Sequence, residues 1–176
     1  MMKTALLKAV LGASLAGAVS LANAQTMNTP AAPALNKADM AIVMGMARAN
    51  MAEIEAGKLA LDKASAAEVK TFAQQMVDDH TQALKDVTSL AQSKGVTLPT
   101  DPDAKHKAMT AKLSKLKGNA FDKQYMAKAG VADHKQLHAR LKKDEAKATD
   151  PDVKALAAKM LPTVEQHLHT ATGHKH

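Results

Sequence analysis

The sequence predicts an all-α protein whose folded domain is a four-helix bundle. Strand-forming side chains are scarce, since aromatic residues make up 2% of the 176 residues, while the helix-favouring Ala, Lys, Leu and Met are abundant. Apolar residues recur at three- and four-residue intervals through long segments, as they do on one face of a helix. A pattern at one helix junction also returns 84 positions later, which indicates two copies of one helical hairpin.

The first 24 residues have the pattern of a secretory signal peptide. Lys3 and Lys8 accompany an apolar stretch that runs to Leu21, and Ala22-Asn23-Ala24 is a typical cleavage site. This stretch is short and rich in Gly, Ala and Ser, so a membrane-spanning helix is disfavoured. We therefore predict cleavage after Ala24, a periplasmic location and no transmembrane segment in the mature chain.

The mature chain divides into a leader, a domain and a tail. Residues 25–35 contain two prolines and no periodic pattern, which predicts a flexible Pro- and Ala-rich leader. Residues 36–172 carry the helical patterns and form the predicted bundle domain. Residues 173–176 include two histidines and no apolar residue, so we expect a disordered tail.

The first two helices are predicted to form a hairpin. The first begins near Asn36, and the second is expected to start at Ser65, with Glu68 completing a capping box, and to end at Gly95. The first helix is expected to bury Met40, Val43, Met44, Ala47, Met51, Ile54, Lys58 and Leu61. The second is expected to bury Val69, Phe72, Ala73, Met76, His80, Ala83, Val87, Leu90 and Ala91.

The second hairpin follows a long connection, in which residues 103–117 form a short amphipathic helix. The third long helix is predicted over about 120–148, and the fourth starts at Pro151, after a capping residue. The Lys-Ala-Ser sequence at 63–65 has a counterpart, Lys-Ala-Thr, at 147–149. Two hairpins joined by one long crossover predict a ferritin-like four-helix bundle.

Composition and motifs exclude most catalytic chemistry. The chain has no Cys, which removes thiol nucleophiles, disulfides and zinc-cysteine sites. It has no Gly-x-Ser-x-Gly sequence and no glycine-rich phosphate loop. The whole chain has a net charge of +7, and the lysines of the mature chain are dispersed over polar helix faces. Three aromatic residues offer little base stacking, so nucleic-acid binding is disfavoured.

Histidines supply the candidate metal ligands. His80 and His167 fall on apolar stripes, His134 borders the buried side of the third helix, and Glu53 and Glu55 flank one position of the first helix. If these meet at one level, they would form a His/carboxylate site suited to zinc, copper, nickel or iron. The alternative is that each histidine hydrogen-bonds to a neighbouring carboxylate, such as Asp79 or Asp133, or to the backbone. The helices lack the Glu-x-x-His spacing of di-iron bundles.

A set of segments in fixed order resembles the bacterial exported family called domain of unknown function 4142. The resemblance spans about residues 38–172 and implies a ferritin-like bundle, labelled as outer-membrane or periplasmic, with no established activity. The positions that match its pattern and suit a site are Glu53, His80, His134 and His167. The segments are EIEAGKLA at 53–60, VKTFAQQMVDDH at 69–80, LP at 98–99, FDKQY at 121–125, DH at 133–134 and LP at 161–162.

Two functional interpretations remain open on the sequence alone. The leading one is a non-enzymatic periplasmic bundle that acts as a binding or envelope-stress accessory protein and requires no cofactor. The alternative is a protein that binds, stores or oxidises a transition-metal ion in the bundle core. The partner is not identified by the residues, and self-association as a homodimer or weak association with the envelope surface fits the Ala-rich and Lys-rich faces.

Overall fold

The computed structural model describes residues 34–173, in which all regular structure is helical. The predicted signal peptide, residues 25–33 of the predicted leader and the last three residues lie outside the described residues. Leu35, the last residue assigned to the leader, is buried against the core. The helices are α1 Lys37–Lys63, α2 Ala67–Ser93, α3 Ala104–Leu113, α4 Gly118–Tyr125, the π-helical segment Met126–Asp133, α5 His134–Lys147 and α6 Pro151–Gly173.

The predicted four-helix bundle is confirmed. Helix α1 packs along α2, and α5 packs along α6, so each pair forms one hairpin. Helix α4, the π-helical segment and α5 follow one another without a break and together make the third long helix. The crossover between the hairpins contains α3, which begins at the N-cap Asp103. Helices α2 and α6 also contact each other, which brings the two hairpins together.

Asp39 fastens the start of α1 to the junction between α5 and α6. Its carboxylate accepts hydrogen bonds from the backbone N–H groups of Thr149 and Asp150, at 3.1 and 3.0 Å, and from the Thr149 hydroxyl at 2.6 Å. Asp150 in turn caps α6 by accepting from the N–H groups of its first turn. These bonds satisfy donors that a helix start leaves without intrahelical partners.

Asp122 makes the corresponding contact at the junction between α1 and α2. It accepts hydrogen bonds from the N–H groups of Ser65 and Ala66, at 3.0 and 2.9 Å, and from the Ser65 hydroxyl. The capping box predicted at Ser65 is therefore wrong: Ala66 is the N-cap and has no side-chain capping bond. Each hairpin junction is held by an aspartate of the other hairpin, as a duplicated structure would produce.

The π-helical segment accounts for a difference between the two hairpins. From Asp39 to Ser65 is 26 positions, whereas from Asp122 to Thr149 is 27. The third long helix thus holds one more residue than α1 between equivalent contacts. A π-helical turn can take up an added residue while the helix continues, and such turns are frequent at functional sites. Here the segment ends at Asp133, directly before His134.

The buried face of α1 differs from the predicted one. Met40, Met44, Met51 and Ile54 are only partly buried, and Lys58 is exposed. The face that is buried instead contains three polar residues. Because they interrupt the apolar pattern, the predicted stripe lies on a neighbouring face of the helix. The buried face comprises Asp39, Ile42, Val43, Gly45, Met46, Ala47, Asn50, Ala52, Glu53, Ala56, Gly57 and Ala60.

The core consists of two apolar clusters with polar side chains between them. One cluster lies towards the α5–α6 junction and the other towards the α1–α2 junction. On every long helix, a buried polar residue separates members of the two clusters. We call these residues the polar layer; they are Asn50 and Glu53 on α1, His80 on α2, His134 on α5 and His167 on α6.

Candidate metal centre

Three histidines from three helices converge in the polar layer. His80 Nε2 lies 3.4 Å from His134 Nε2, which lies 3.2 Å from His167 Nδ1. All three of these nitrogens lie within 4.8 Å of one another. The side chains are closed to solvent, with His134 and His167 0% exposed and His80 2% exposed. We call this group the trihistidine centre.

Asn50 fixes the orientation and protonation of His80. Its Oδ1 lies 2.8 Å from His80 Nδ1, while its own Nδ2 donates to the Met46 carbonyl at 2.9 Å. Because the amide group of Asn50 is held in this way, its oxygen faces the ring, and His80 Nδ1 must be the nitrogen that carries the proton. The lone pair of His80 is therefore on Nε2, the atom that points into the centre.

The other two rings are held in the same manner. His134 Nδ1 donates to the Ala129 carbonyl of the π-helical segment at 2.8 Å. His167 Nε2 donates to Asp79 Oδ2, also at 2.8 Å. With a proton on each outer nitrogen, both rings direct a lone pair at the centre, from His134 Nε2 and His167 Nδ1.

Burial keeps these imidazoles neutral. Desolvation lowers the pKa of His134 to about 4, and it also lowers the pKa of His80, where the neighbouring His134 and His167 add to the effect. The pKa of His167 is lowered by desolvation too, although the Asp79 carboxylate opposes the shift. At neutral pH the centre therefore presents three uncharged nitrogen donors and no proton between them.

The sequence predicts two carboxylates as candidate ligands, Glu53 and Glu55; in the structure one lies beside the centre and the other lies away from it. Glu53 is buried, with Oε1 3.8 Å from His134 Nδ1, the nitrogen that faces out of the centre. Glu55 is on the exposed face of α1 and is not brought to the histidines. Asp79 bonds to His167 across the helix pair instead of to its neighbour His80. Asn50 was not predicted as a site residue, and its only signal in the sequence is a polar residue four positions after Met46.

Glu53 also faces a second polar pocket on the other side of His134. A cavity of about 240 Å³ lies there, between α1, α3 and the end of the π-helical segment. Burial raises the pKa of Glu53 well above its usual value, and the nearby Asp133 charge raises it further. The polar and charged residues that line the cavity are Glu53, Asp103, Lys105, His106, Asp133, Gln136 and Arg140.

A surface cleft leads towards the trihistidine centre from the α2–α6 side. Its volume is about 140 Å³, and its lining includes Asp79, His80, Asp86, Met160 and Thr163. Asp79 is 39% exposed at its side chain, so the carboxylate that holds His167 is also in contact with solvent. The cleft therefore joins the buried centre to the surface through one of its histidines, His80, and through Asp79, the hydrogen-bond partner of His167.

Comparison with known proteins gives a family and a fold. The family model described as "Domain of unknown function (DUF4142)" matches residues 24–173. A solved structure with a similar fold is a DUF305 fragment from Deinococcus radiodurans, with a TM-score of 0.71 and 15% identity over 80% of this chain and 97% of that one. A search of curated proteins found no match. Among the described helices, none is long and apolar enough to cross a membrane.

Proposed function

We propose that this chain, which belongs to the DUF4142 family of unknown function, binds a transition-metal ion at the trihistidine centre after export to the periplasm. The family description carries no activity, so the proposal depends on the geometry of the site. The observation that carries it is the direction of the lone pairs. Three neutral imidazoles point unprotonated nitrogens at one buried position, and each ring is fixed there by a partner on its outer nitrogen.

Such an arrangement is unfavourable unless a cation occupies it. Buried polar atoms are normally hydrogen-bonded, yet no ring can donate to another while its proton is on the outer nitrogen. Outer partners of this kind, namely an amide, a backbone carbonyl and a carboxylate, are typical of histidines that bind metal, because they fix the tautomer and strengthen the ligand. The alternative noted from the sequence, in which the histidines only hydrogen-bond to protein groups, accounts for the outer nitrogens but leaves the inner ones unpaired.

The separations match the size of a metal site. Two nitrogens that each lie 2.0–2.1 Å from a tetrahedral ion are about 3.3–3.4 Å apart. The measured separations of 3.4 and 3.2 Å are within about 0.2 Å of this range. An ion could thus enter between His134 and each of its two neighbours with little movement, and the ligand atoms of the remaining pair, His80 and His167, lie within 4.8 Å of each other.

The donor set favours borderline metals such as Zn²⁺ and Cu²⁺. Imidazole nitrogens suit zinc, copper, nickel and iron, whereas Mg²⁺ and Ca²⁺ prefer oxygen ligands. Three protein ligands also leave a fourth position free, unlike the closed four-ligand sites that are purely structural. With the surface cleft at Asp79 and His80, this favours an exchangeable ion, and we propose binding and buffering as the role of the centre.

Metal analysis of protein purified without a histidine tag tests this proposal. We expect about one Zn²⁺ or Cu²⁺ per chain, and loss of that ion in His80→Ala/His167→Ala. The matched control is His169→Ala, which removes an exposed histidine of the same helix α6 and should leave the metal content unchanged. Circular dichroism of each variant checks that the bundle remains helical.

The outcome separates the two functional interpretations. Metal-free protein that also fails to bind added Zn²⁺ or Cu²⁺, with an intact fold, would favour the accessory role without a metal. Equal loss of metal in His169→Ala and in the double variant would assign the ion to surface histidines and contradict the trihistidine centre.

A further inference from the structure

The described residues contain three buried side-chain oxygens without a hydrogen-bond partner, and all three belong to one neighbourhood. They are Glu53 Oε2, Tyr125 Oη and Asp133 Oδ2. In addition to burial, the charge of Asp133 raises the pKa of Glu53, and the charge of Glu53 raises the pKa of Tyr125, so Glu53 is near both residues. Unpaired buried oxygens are rare in native proteins, and each costs free energy. Their concentration around one carboxylate indicates that a group which would satisfy them belongs there.

Two of these oxygens belong to carboxylates that line the cavity described above. The exposed fractions are 4% for Glu53 and 6% for Asp133, and the unpartnered oxygens are themselves closed to solvent. A water molecule that donates a hydrogen bond keeps its oxygen about 2.8 Å away. A metal ion approaches a carboxylate oxygen to about 2.0–2.2 Å and can occupy a space that is too small for water.

His106 directs a nitrogen at the same position. Its Nδ1 donates to Asp103 Oδ1 at 2.8 Å, so its lone pair is on Nε2. That nitrogen lies 3.8 Å from Asp133 Oδ2, which is too long for a hydrogen bond. Two ligands of one ion are separated by about this distance when the ligand–metal–ligand angle is wide. The Asp103–His106 pair also repeats the pattern of the trihistidine centre, in which an acceptor on the outer nitrogen aims the inner one.

We propose that Glu53, Asp133 and His106 form a second metal site, distinct from the trihistidine centre, that takes a divalent first-row ion in an oxygen-rich ligand set. Two carboxylates and one imidazole favour Mn²⁺ or Fe²⁺ more than the trihistidine centre does, because harder ions prefer oxygen donors. The two sites lie on opposite sides of the His134 ring. The π-helical segment places both, since it ends with Asp133 towards one and is followed by His134 towards the other.

The positive side chains at this cavity are compatible with a cation. Lys105 Nζ lies 3.3 Å from Asp133 Oδ1, not from the unpartnered Oδ2, and its side chain is 58% exposed. It also donates to Gln136 Oε1 at 2.7 Å. Arg140 is engaged with Asp144 at 3.4 Å. Asp133 can therefore keep its Lys105 contact and bind the ion through the other oxygen.

A Mn²⁺ titration followed by electron paramagnetic resonance tests the second site. We expect the wild-type chain to remove one equivalent of Mn²⁺ from the free-ion signal, and His80→Ala/His167→Ala to do the same, because neither residue belongs to this site. Glu53→Gln should weaken Mn²⁺ binding by roughly tenfold or more, since an amide, unlike the Glu53 carboxyl group, cannot give up a proton to become an anionic ligand of the ion. Glu55→Gln is the matched control on the same helix, with an exposed side chain, and should bind like the wild type.

Three results would overturn the inference: no binding of Mn²⁺ by the wild-type chain, equal binding by Glu53→Gln, or loss of Mn²⁺ only when the histidines are replaced. A fold check is provided by the thermal unfolding of metal-free Glu53→Gln, which we expect close to the wild-type temperature, because glutamine has the same shape and the raised pKa of Glu53 favours its neutral form. The readout is separate from that of the trihistidine centre. Zn²⁺ bound through His80 and His167 can fail while Mn²⁺ binding holds, and the reverse.

Discussion

Replacing Asn50 with leucine tests whether the outer hydrogen bonds of the histidines prepare the trihistidine centre for metal. Leucine is similar in size but cannot accept a hydrogen bond from His80 Nδ1, which now donates to Asn50 Oδ1 at 2.8 Å. The His80 ring is then free to carry its proton on Nε2, 3.4 Å from His134 Nε2. In that tautomer the proton occupies the direction that the metal needs. We therefore expect a folded protein with a weakened metal site.

The expected loss of metal affinity in Asn50→Leu follows from the loss of the fixed His80 tautomer. Removal of an outer partner of a metal-binding histidine typically weakens metal affinity by about 10–100-fold, or about 1.4–2.7 kcal/mol. An ion present at 100 times its dissociation constant stabilises the folded state by about 2.7 kcal/mol. If affinity falls 100-fold, the same ion concentration stabilises by only about 0.4 kcal/mol. For a domain of this length, these values correspond to increases in melting temperature of about 8–11 °C and about 1–2 °C.

The assay measures Zn²⁺ affinity and the melting temperature together. Competition with a chromophoric chelator gives the dissociation constant, and thermal unfolding with and without Zn²⁺ gives the stabilisation. His80→Ala sets the value for a lost ligand, and Glu55→Gln on α1 is the control with an exposed side chain. Asn50→Leu should fall between them.

An Asn50→Leu protein that binds Zn²⁺ within about twofold of the wild type, while His80→Ala loses binding, would refute the reasoning. The tautomer of His80 would then be set by something other than Asn50. If both variants bind like the wild type, His80 is not a ligand, and the proposed centre itself is contradicted.

Two further predictions concern the bundle. Burial alone would raise the pKa of Asp39, but the hydrogen bonds from Thr149 and Asp150 outweigh it and hold the pKa below its usual value. Their stabilisation is thus complete above the unfolded-state pKa of about 3.9 and is lost as the pH falls through the lower folded-state pKa. Asp39→Asn should lower the free energy of unfolding by about 2–4 kcal/mol at pH 7, and it should reduce the difference between the free energies of unfolding at pH 7 and pH 3. Urea titrations at the two pH values measure both effects, and an unchanged difference would contradict this assignment. Gly57→Val should cost about 1–3 kcal/mol in the same assay, because a Cβ at Gly57 lies 3.1 Å from the Ala73 carbonyl and α1 would have to move away from α2; equal stability would show that the helices can separate freely.

The fold was predictable because it depends on patterns that are local in the sequence. The stripe of α2 was predicted almost residue for residue, since apolar side chains at helical spacing have one buried face to share. The start of α6 followed from Asp150 and Pro151. The repeat at 63–65 and 147–149 predicted two similar hairpins. Family membership and the helical bundle are confirmed by the comparisons.

The predicted details were wrong where contacts between helices stabilise a local structure that the sequence pattern does not favour. The buried face of α1 was misplaced because Asn50 and Glu53 lie on it, and buried polar residues do not show in an apolar pattern. The sequence predicts Ser65 as a cap, but in the structure its donors are satisfied by Asp122, 57 positions away. The apolar pattern of the third long helix predicts a regular helix, although the structure contains a π-helical segment there. The neighbouring sequence does not indicate these features. The side chains that interact with these buried polar residues and with Ser65 lie on other helices, and the π-helical turn follows from the packing of the whole third helix.

The sequence by itself determined that the protein is a helical bundle, which residues of α2 face its core, and that three histidines are unusual occupants of apolar helix faces. The tertiary structure decided that those histidines meet, because the level at which residues of different helices face each other depends on how the helices pack, not on spacing within one helix. It also decided which nitrogen of each ring is available, since Asn50, Ala129 and Asp79 reach their rings only in the folded bundle. The identity of the site thus depends on the partners of the histidines as much as on the histidines themselves.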